Sequence, residues 1–153
     1  LFAPCAYAAD PAIVYVVRHA EKTGNDGDPD LTPRGHARAA AIAAILRKAG
    51  ISRVYTTKTA RTRQTAAPAA KALGLALREY DARQPARMVA EVKAGGGHTL
   101  VVGHSNTVPQ LVSLFGGAPG ADIGDDEYDR LYQLIFGADG SVTTVLLSSP
   151  APD

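Results

Sequence analysis

Apolar and polar positions fall along this chain in blocks of two kinds. The first kind is a short, mostly β-branched apolar run, the mark of a strand buried on both faces. Such runs cover residues 12–17, 51–55 and 98–103, with a shorter candidate at 75–77. The second kind spaces its apolar residues three and four apart, the helical period. One helix is predicted to begin at Thr32-Pro33, a capping residue before a proline at the first helical position. Its stripe is Ile42, Ile45, Leu46 and Ala49, and Gly50 closes it. A second helix is predicted over 59–73, broken or kinked near Pro68 and stopped by Gly74. A third spans 85–93 and ends at three glycines. A fourth follows Asn106 or Thr107 as cap, with Val108, Leu111, Val112 and Phe115 as its buried face. Residues 131–136 and 142–147 flank Gly137-Ala138-Asp139-Gly140, a hairpin signal.

Strands alternating with helices predict a three-layer α/β/α sandwich with a mostly parallel central sheet, to which the final hairpin adds an antiparallel edge. Open sheets of this kind bind ligands at the carboxyl ends of their strands. The first strand runs directly into Arg18-His19, and the strand at 98–103 runs into His104-Ser105. Function is therefore expected where those two strands end.

Composition narrows the classes. A chain of 153 residues reads as one domain over 10–153. A domain of this size buries roughly 70% of its unfolded surface and needs no staples. Sixteen Lys and Arg against 15 Asp and Glu leave a net charge of +1 with no basic run, so nucleic acid is not an expected partner. The one cysteine, Cys5, excludes a disulfide framework. No apolar run reaches the 18 residues of a membrane span. Residues 1–9 are apolar and small, end in Ala6-Tyr7-Ala8, and resemble the end of a secretory signal with its A-x-A site. The expected location is periplasmic or secreted, and cytoplasmic if that segment is not a signal. Pro4 before Cys5 suits lipoprotein acylation poorly.

A lone histidine is more often a packing or capping residue than a catalyst, but His19 and His104 end two strands of one sheet and Arg18 precedes the first. Arg61 and Arg63 open the second helix two residues apart, so they point to different sides and one can enter the same crevice. Two guanidinium forks and two imidazoles describe a pocket for a dianion such as a phosphate monoester. Zinc would recruit a third His, a Cys or a carboxylate at close spacing, and Arg18 would repel a cation, so no metal and no cofactor are expected. The acidic residues Asp122, Asp125, Asp126, Glu127 and Asp129 read as a solvated rim on a flexible loop.

Arg18-His19-Ala20-Glu21 resembles the Arg-His-Gly-Glu signature of the histidine phosphatase superfamily, the phosphoglycerate mutase-like proteins. Asn25 falls where that signature carries a later Asn. Leu31-Thr32-Pro33-Arg34-Gly35 is similar to the family's Leu-Thr-x-x-Gly, Arg61-Thr62-Arg63-Gln64-Thr65-Ala66 to its Arg-Ala-x-Gln-Thr-Ala, and Val102-Gly103-His104-Ser105 to its Val-Gly-His-Ser. The four motifs come in family order. The departures are Ala20 for Gly, and Thr56-Thr57 where relatives often have Ser.

The resemblance implies that His19 attacks phosphorus to give a phosphohistidine that water hydrolyses. It further implies that Arg18, Arg61, His104 and Asn25 bind the phosphoryl oxygens, with His19 held through its other ring nitrogen by a backbone carbonyl. It makes Arg61, rather than Arg63, the pocket arginine. The family's general acid corresponds to Glu79 in Leu77-Arg78-Glu79, with Asp81 as the alternative and Glu21 as a third candidate. The implied substrate is a phosphorylated small molecule or a phosphoprotein. A phosphoglycerate mutase-type transferase and a non-catalytic phospho-ligand binder are the competing readings.

Overall fold

Strand β1 (Ile13–Arg18) carries the most hydrophobic stretch of the chain and takes an interior position in the sheet. The structure, a computed structural model, describes residues 10–151; the signal-like segment 1–9 lies outside them. β1 pairs in parallel with β4 (His98–Gly103) and antiparallel with β5 (Arg130–Phe136). β2 (Ile51–Thr56) lies on the far side of β4, β3 (Leu77–Glu79) beyond it, and β6 (Val142–Ser148) pairs with β5. The order is β3-β2-β4-β1-β5-β6: four parallel strands extended by an antiparallel hairpin, as expected.

Alternation along β1 builds the two cores. Tyr15 and Val17 face one side with Val54, Leu100 and Val102, where α1 (Pro33–Leu46) and α2 (Ala60–Leu73) supply Ile42, Leu46, Ala66, Ala69 and Ala70. Val14 and Val16 face the other with Tyr55 and Val101, under α3 (Pro85–Gly95) and α4 (Val108–Phe115). All four residues of the predicted α4 stripe are fully buried. The result is three layers, helices on both faces of one sheet.

Several local expectations are corrected. α2 runs unbroken through Pro68. Proline offers no N–H to the preceding turn, but burial of Ala66, Ala69 and Ala70 against the sheet holds the helix together. The third strand starts at Leu77, not Leu75, because residues 74 and 75 are spent closing α2. Gly74 takes the left-handed conformation, φ 66°, and Leu75 N–H donates to Ala70 O at 2.9 Å. α1 ends at Leu46, and Ile45, at the margin of its buried stripe, is 43% exposed.

What positions the site is register. Arg18 lies opposite Gly103, so His19 and His104 leave two neighbouring strands at the same level. The pairing extends one step further, with His19 N–H donating to Gly103 O at 2.8 Å. The loop after β1 is then fastened to α1. Thr32 caps that helix through a 3.0 Å bond from Gly35 N–H, and its own N–H donates to Glu21 O at 2.8 Å. Buried Arg38 grips the Glu21 carboxylate with Nε at 3.1 and 3.0 Å and Nη2 at 2.7 Å, and donates to the Ser149 carbonyl past the end of β6. Burial is the largest influence and alone would raise the Glu21 pKa, but the Arg38 hydrogen bonds, a backbone hydrogen bond and the charges of Arg38 and Arg34 together outweigh it and hold the carboxyl below its usual value. Glu21 is thus a structural anchor.

Gly35 must be glycine for this contact, since a Cβ there would run into the Glu21 backbone carbonyl. Gly35→Ala is expected to cost about 1–3 kcal/mol, as an overpacked contact does. Urea unfolding checks this as a lower midpoint at unchanged m.

Candidate active site

The strands β1 and β4 end in a cleft of about 620 Å³ whose floor carries Arg18, His19 and His104. His19 is 3% exposed, and its Nδ1 lies 2.8 Å from Ala20 O. A carbonyl only accepts, so the proton sits on Nδ1, and Nε2 carries a lone pair with no protein partner among the described residues. This is the backbone-carbonyl clamp the resemblance implies. The His19 and His104 rings meet edge to face, centroids 5.4 Å apart. Burial lowers the His19 pKa to about 3, with the Ala20 carbonyl opposing and Arg18, His104 and Arg61 adding to the fall. Burial, then Arg61 and Arg18, lowers that of His104 to about 4. Both imidazoles are neutral at pH 7.

Arg18 is 5% exposed and held by residues 124–128, of which Asp125, Asp126 and Tyr128 also line the cleft. Its Nη1 donates to the carbonyls of Gly124, Asp125 and Glu127 at 3.0, 2.9 and 2.8 Å, and its guanidinium carbon sits 3.9 Å from the Tyr128 ring centroid. The acidic segment is therefore more than a solvated rim. Its side chains at Asp122, Asp125 and Asp126 are exposed, but its backbone is the cage of the first pocket arginine, and Glu127 is tied to Arg130 at 2.6 Å.

Arg61 arrives from the first turn of α2, whose Ala60 N–H is capped by the Asp28 carboxylate at 2.9 and 3.0 Å. Its Nη2 lies 3.5 Å from His104 Nδ1, and its Nη1 lies 3.5 Å from Asp28. Arg63, two residues on, faces outward and pairs with Glu79. The Nε atoms of both Arg18 and Arg61 are buried without a partner among the described residues. Two orphaned donors at one cleft mark a place for an anion.

His104 is oriented by threonines. Thr57 Oγ1 lies 3.0 Å from His104 Nε2 and 3.0 Å from Thr62 Oγ1. Thr62 donates to a backbone carbonyl, Thr57 O at 3.1 Å or Thr59 O at 3.0 Å, so its oxygen accepts the Thr57 proton. Thr57 in turn accepts from Nε2–H of His104, an assignment made from the network. His104 Nδ1 accepts from Arg61 Nη2 at 3.5 Å, which agrees with the proton on Nε2. On the other flank Thr65 Oγ1 accepts from Ala20 N–H at 2.9 Å, linking the His19 turn to α2.

Asn25 and Lys22 line the cleft and bond to each other. Glu79 and Asp81 stand outside it. Asp81 accepts from Arg83 N–H at 2.9 Å in a local turn, and both carboxylates border a neighbouring hollow. Thr57, Thr65 and Tyr128 were not singled out as site residues. A signal exists for Thr57 in the pair Thr56-Thr57, which the resemblance places where relatives often have Ser, and none for Tyr128.

A sequence profile of the histidine phosphatase superfamily (branch 1) matches residues 14–84. That stretch contains Arg18, His19 and Arg61, and the fold brings His104 to them. No curated protein matches the chain. Among solved structures the chain is similar to a candidate phosphohistidine phosphatase SixA from Nakamurella multipartitia, at 25% identity over 94% of this chain and 99% of that one, TM-score 0.67. It also resembles the protein histidine phosphatase SixA solved with tungstate, at 21% identity over 90% and 97%, TM-score 0.71. The third is a mycobacterial glucosyl-3-phosphoglycerate phosphatase, at 16% identity over 93% and 100%, TM-score 0.70. The last two likenesses concern the fold alone.

Two outcomes follow from this geometry. Unfolded histidine binds its proton near pH 6.5, whereas these two hold out to about 3 and 4. Stability is thus full above pH 6.5 and is lost as pH falls below it, by at most about 1.4 kcal/mol per pH unit for each histidine. Urea midpoints should fall from pH 7 to pH 5, and His104→Gln should flatten that fall. Thr57→Val, which strands the partly buried Nε2–H, should cost about 1–3 kcal/mol. Thr57→Ser should restore both stability and the histidine ¹⁵N shifts of the Nε2–H tautomer.

Proposed function

We propose, from the match of residues 14–84 to the histidine phosphatase superfamily, that the chain is a phosphatase hydrolysing a phosphomonoester, or a phosphorylated protein, through a phosphohistidine on His19. One observation carries this reading: Arg18, His19, Arg61 and His104 converge on one cleft, with the His19 Nε2 lone pair and two arginine Nε–H donors left unsatisfied. A dianion placed there meets a nucleophile and two fixed cations without any metal. Among the described residues no three His, Cys, Asp or Glu side chains come together as metal ligands.

In the first step His19 Nε2 forms a bond to phosphorus as the bond to the leaving oxygen breaks. The leaving oxygen keeps that electron pair and takes a proton. In the second step water attacks phosphorus, the N–P bond breaks, and the imidazole recovers its lone pair while the water proton leaves with phosphate or solvent. Two features make His19 competent. It is neutral far below pH 7, and the Ala20 carbonyl on Nδ1–H steadies the positive ring formed during transfer. Arg18 and Arg61 balance the charge that spreads over the transferring oxygens.

The position of the carboxylates favours one refinement. Glu21 is held by Arg38, Glu79 by Arg63, and Asp81 by Arg83 at the edge of an adjoining hollow that shares His104 with the cleft, so a leaving group that departs with little assistance from these three carboxyls suits this site. Aryl phosphates and the N–P bond of a phosphohistidine protein meet that condition better than a simple alkyl phosphate.

His19→Ala is expected to reduce p-nitrophenyl phosphate hydrolysis to background, and retained activity would sink the covalent mechanism. Acid-labile, base-stable phosphate should be trapped on the wild-type chain and not on that variant. Glu79→Gln should change kcat/KM by less than about threefold. A large loss would make Glu79 the acid after all.

A further inference from the structure

The segment from Pro119 to Tyr128 is gripped by two arginines, one on each flank. On the cleft side, Arg18 Nη1 collects the carbonyls of Gly124, Asp125 and Glu127. On the far side stands Arg130, the first residue of β5, whose side chain is 14% exposed and lines no part of the cleft. Its Nη1 donates to Ala121 O at 2.6 Å and its Nη2 to Asp122 O at 3.0 Å. Its Nε and Nη2 also hold the Glu127 carboxylate, at 2.6 and 2.8 Å. Nη1 further donates to the hydroxyl of buried Tyr132 at 3.0 Å, which donates in turn to Pro119 O at 2.6 Å. Glu127 joins the two grips. Its carboxylate lies on Arg130, its backbone carbonyl lies on Arg18 at 2.8 Å, and its Oε1 accepts from Gly124 N–H at 3.3 Å, closing the turn.

With Nη1 engaged in this way, the direction of the buried, unpartnered Arg18 Nε follows from the place of the loop. A shift of the loop therefore becomes a shift of the donor that would face a phosphoryl oxygen. We propose that Arg130 and Glu127 are positioning residues: from outside the cleft they set the orientation of Arg18, and through it the affinity for a phosphoryl group. The ligand's identity rests on the phosphatase reading. The competing account is a charge effect, with Glu127 acting on the cleft only as an anion. The two differ in sign. Removing a negative charge strengthens the binding of an anion, whereas loosening the loop weakens it.

Two variants test this. Arg130→Lys keeps the positive charge and loses the fork that spans two carbonyls and a carboxylate. Glu127→Ala removes the joint between the grips. Circular dichroism and urea unfolding check that each variant folds, and if Arg130→Lys does not, Glu127→Ala decides alone. The ¹⁵N-detected Nε–H signal of Arg18, assigned by its absence from Arg18→Ala, should move and exchange faster with water in both variants. Calorimetry with orthovanadate should show binding weakened by about tenfold in both, less than the roughly hundredfold that a misplacement of about 1 Å can cost. An unmoved Arg18 signal overturns the proposal, and so does wild-type affinity in either folded variant. Tighter vanadate binding by Glu127→Ala overturns it in favour of the charge effect. All three outcomes leave the phosphatase reading standing. Vanadate binding by Arg18→Ala as tight as that of the wild type would instead take Arg18 out of the phosphoryl cradle and end both readings.

Discussion

The parallel pairing of β1 with β4 is the constraint on which the cleft depends. Because Arg18 lies opposite Gly103, one residue of overrun on each strand delivers two imidazoles to the same height, in edge-to-face contact. A shift of one residue in that register would turn one ring to the opposite face of the sheet. The register is held by burial on both faces, since Val14 and Val16 belong to one core and Tyr15 and Val17 to the other. The chemistry at the strand ends is therefore positioned by the hydrophobic core, not by contacts within the site.

The pairing delivers the side chains, but other elements orient them. Arg18 is steered by three carbonyls and an aromatic ring from a segment more than 100 positions away. His104 is steered by Thr57 at the end of β2, and Arg61 by the start of α2 and Asp28. Each functional group is thus locked on one edge and open on the other. Nη1 of Arg18 is used while its Nε is vacant, and Nδ1 of His19 is used while its Nε2 is vacant. That division lets rigid side chains present fixed donors and a fixed lone pair to a ligand, which is what electrostatic preorganisation requires.

The sequence revealed much of this and missed the rest for identifiable reasons. The buried strands, the Thr32-Pro33 cap and the α4 stripe were legible because local composition and burial agree there. Of the break or kink expected near Pro68, the break does not occur, because a lost backbone hydrogen bond is a local cost and the packing of three alanines is not visible locally. The late start of β3 was hidden by the closing turn of α2, which consumes Gly74 and Leu75. The acidic segment looked like solvated rim because side-chain composition says nothing of where backbone carbonyls point. The three acid candidates were legible only as residue types, and it took the fold to show Glu21 under Arg38 and Glu79 against Arg63.

The protein groups of the cleft leave the Nε donors of Arg18 and Arg61 without a partner among the described residues, and that follows from the composition of the cleft. Burial and the two arginines hold both histidines neutral, so the floor keeps its positive charge on guanidinium groups that cannot give up a proton. Neutral imidazoles cannot repel those cations, and the cations cannot be silenced by deprotonation. The remaining way to satisfy the buried Nε donors is an acceptor from outside. A phosphoryl group brings oxygens for both arginines and, on phosphorus, an electrophile for the one lone pair that the fold leaves bare. The proposed phosphoryl ligand would thus meet the groups that the protein itself leaves without a partner.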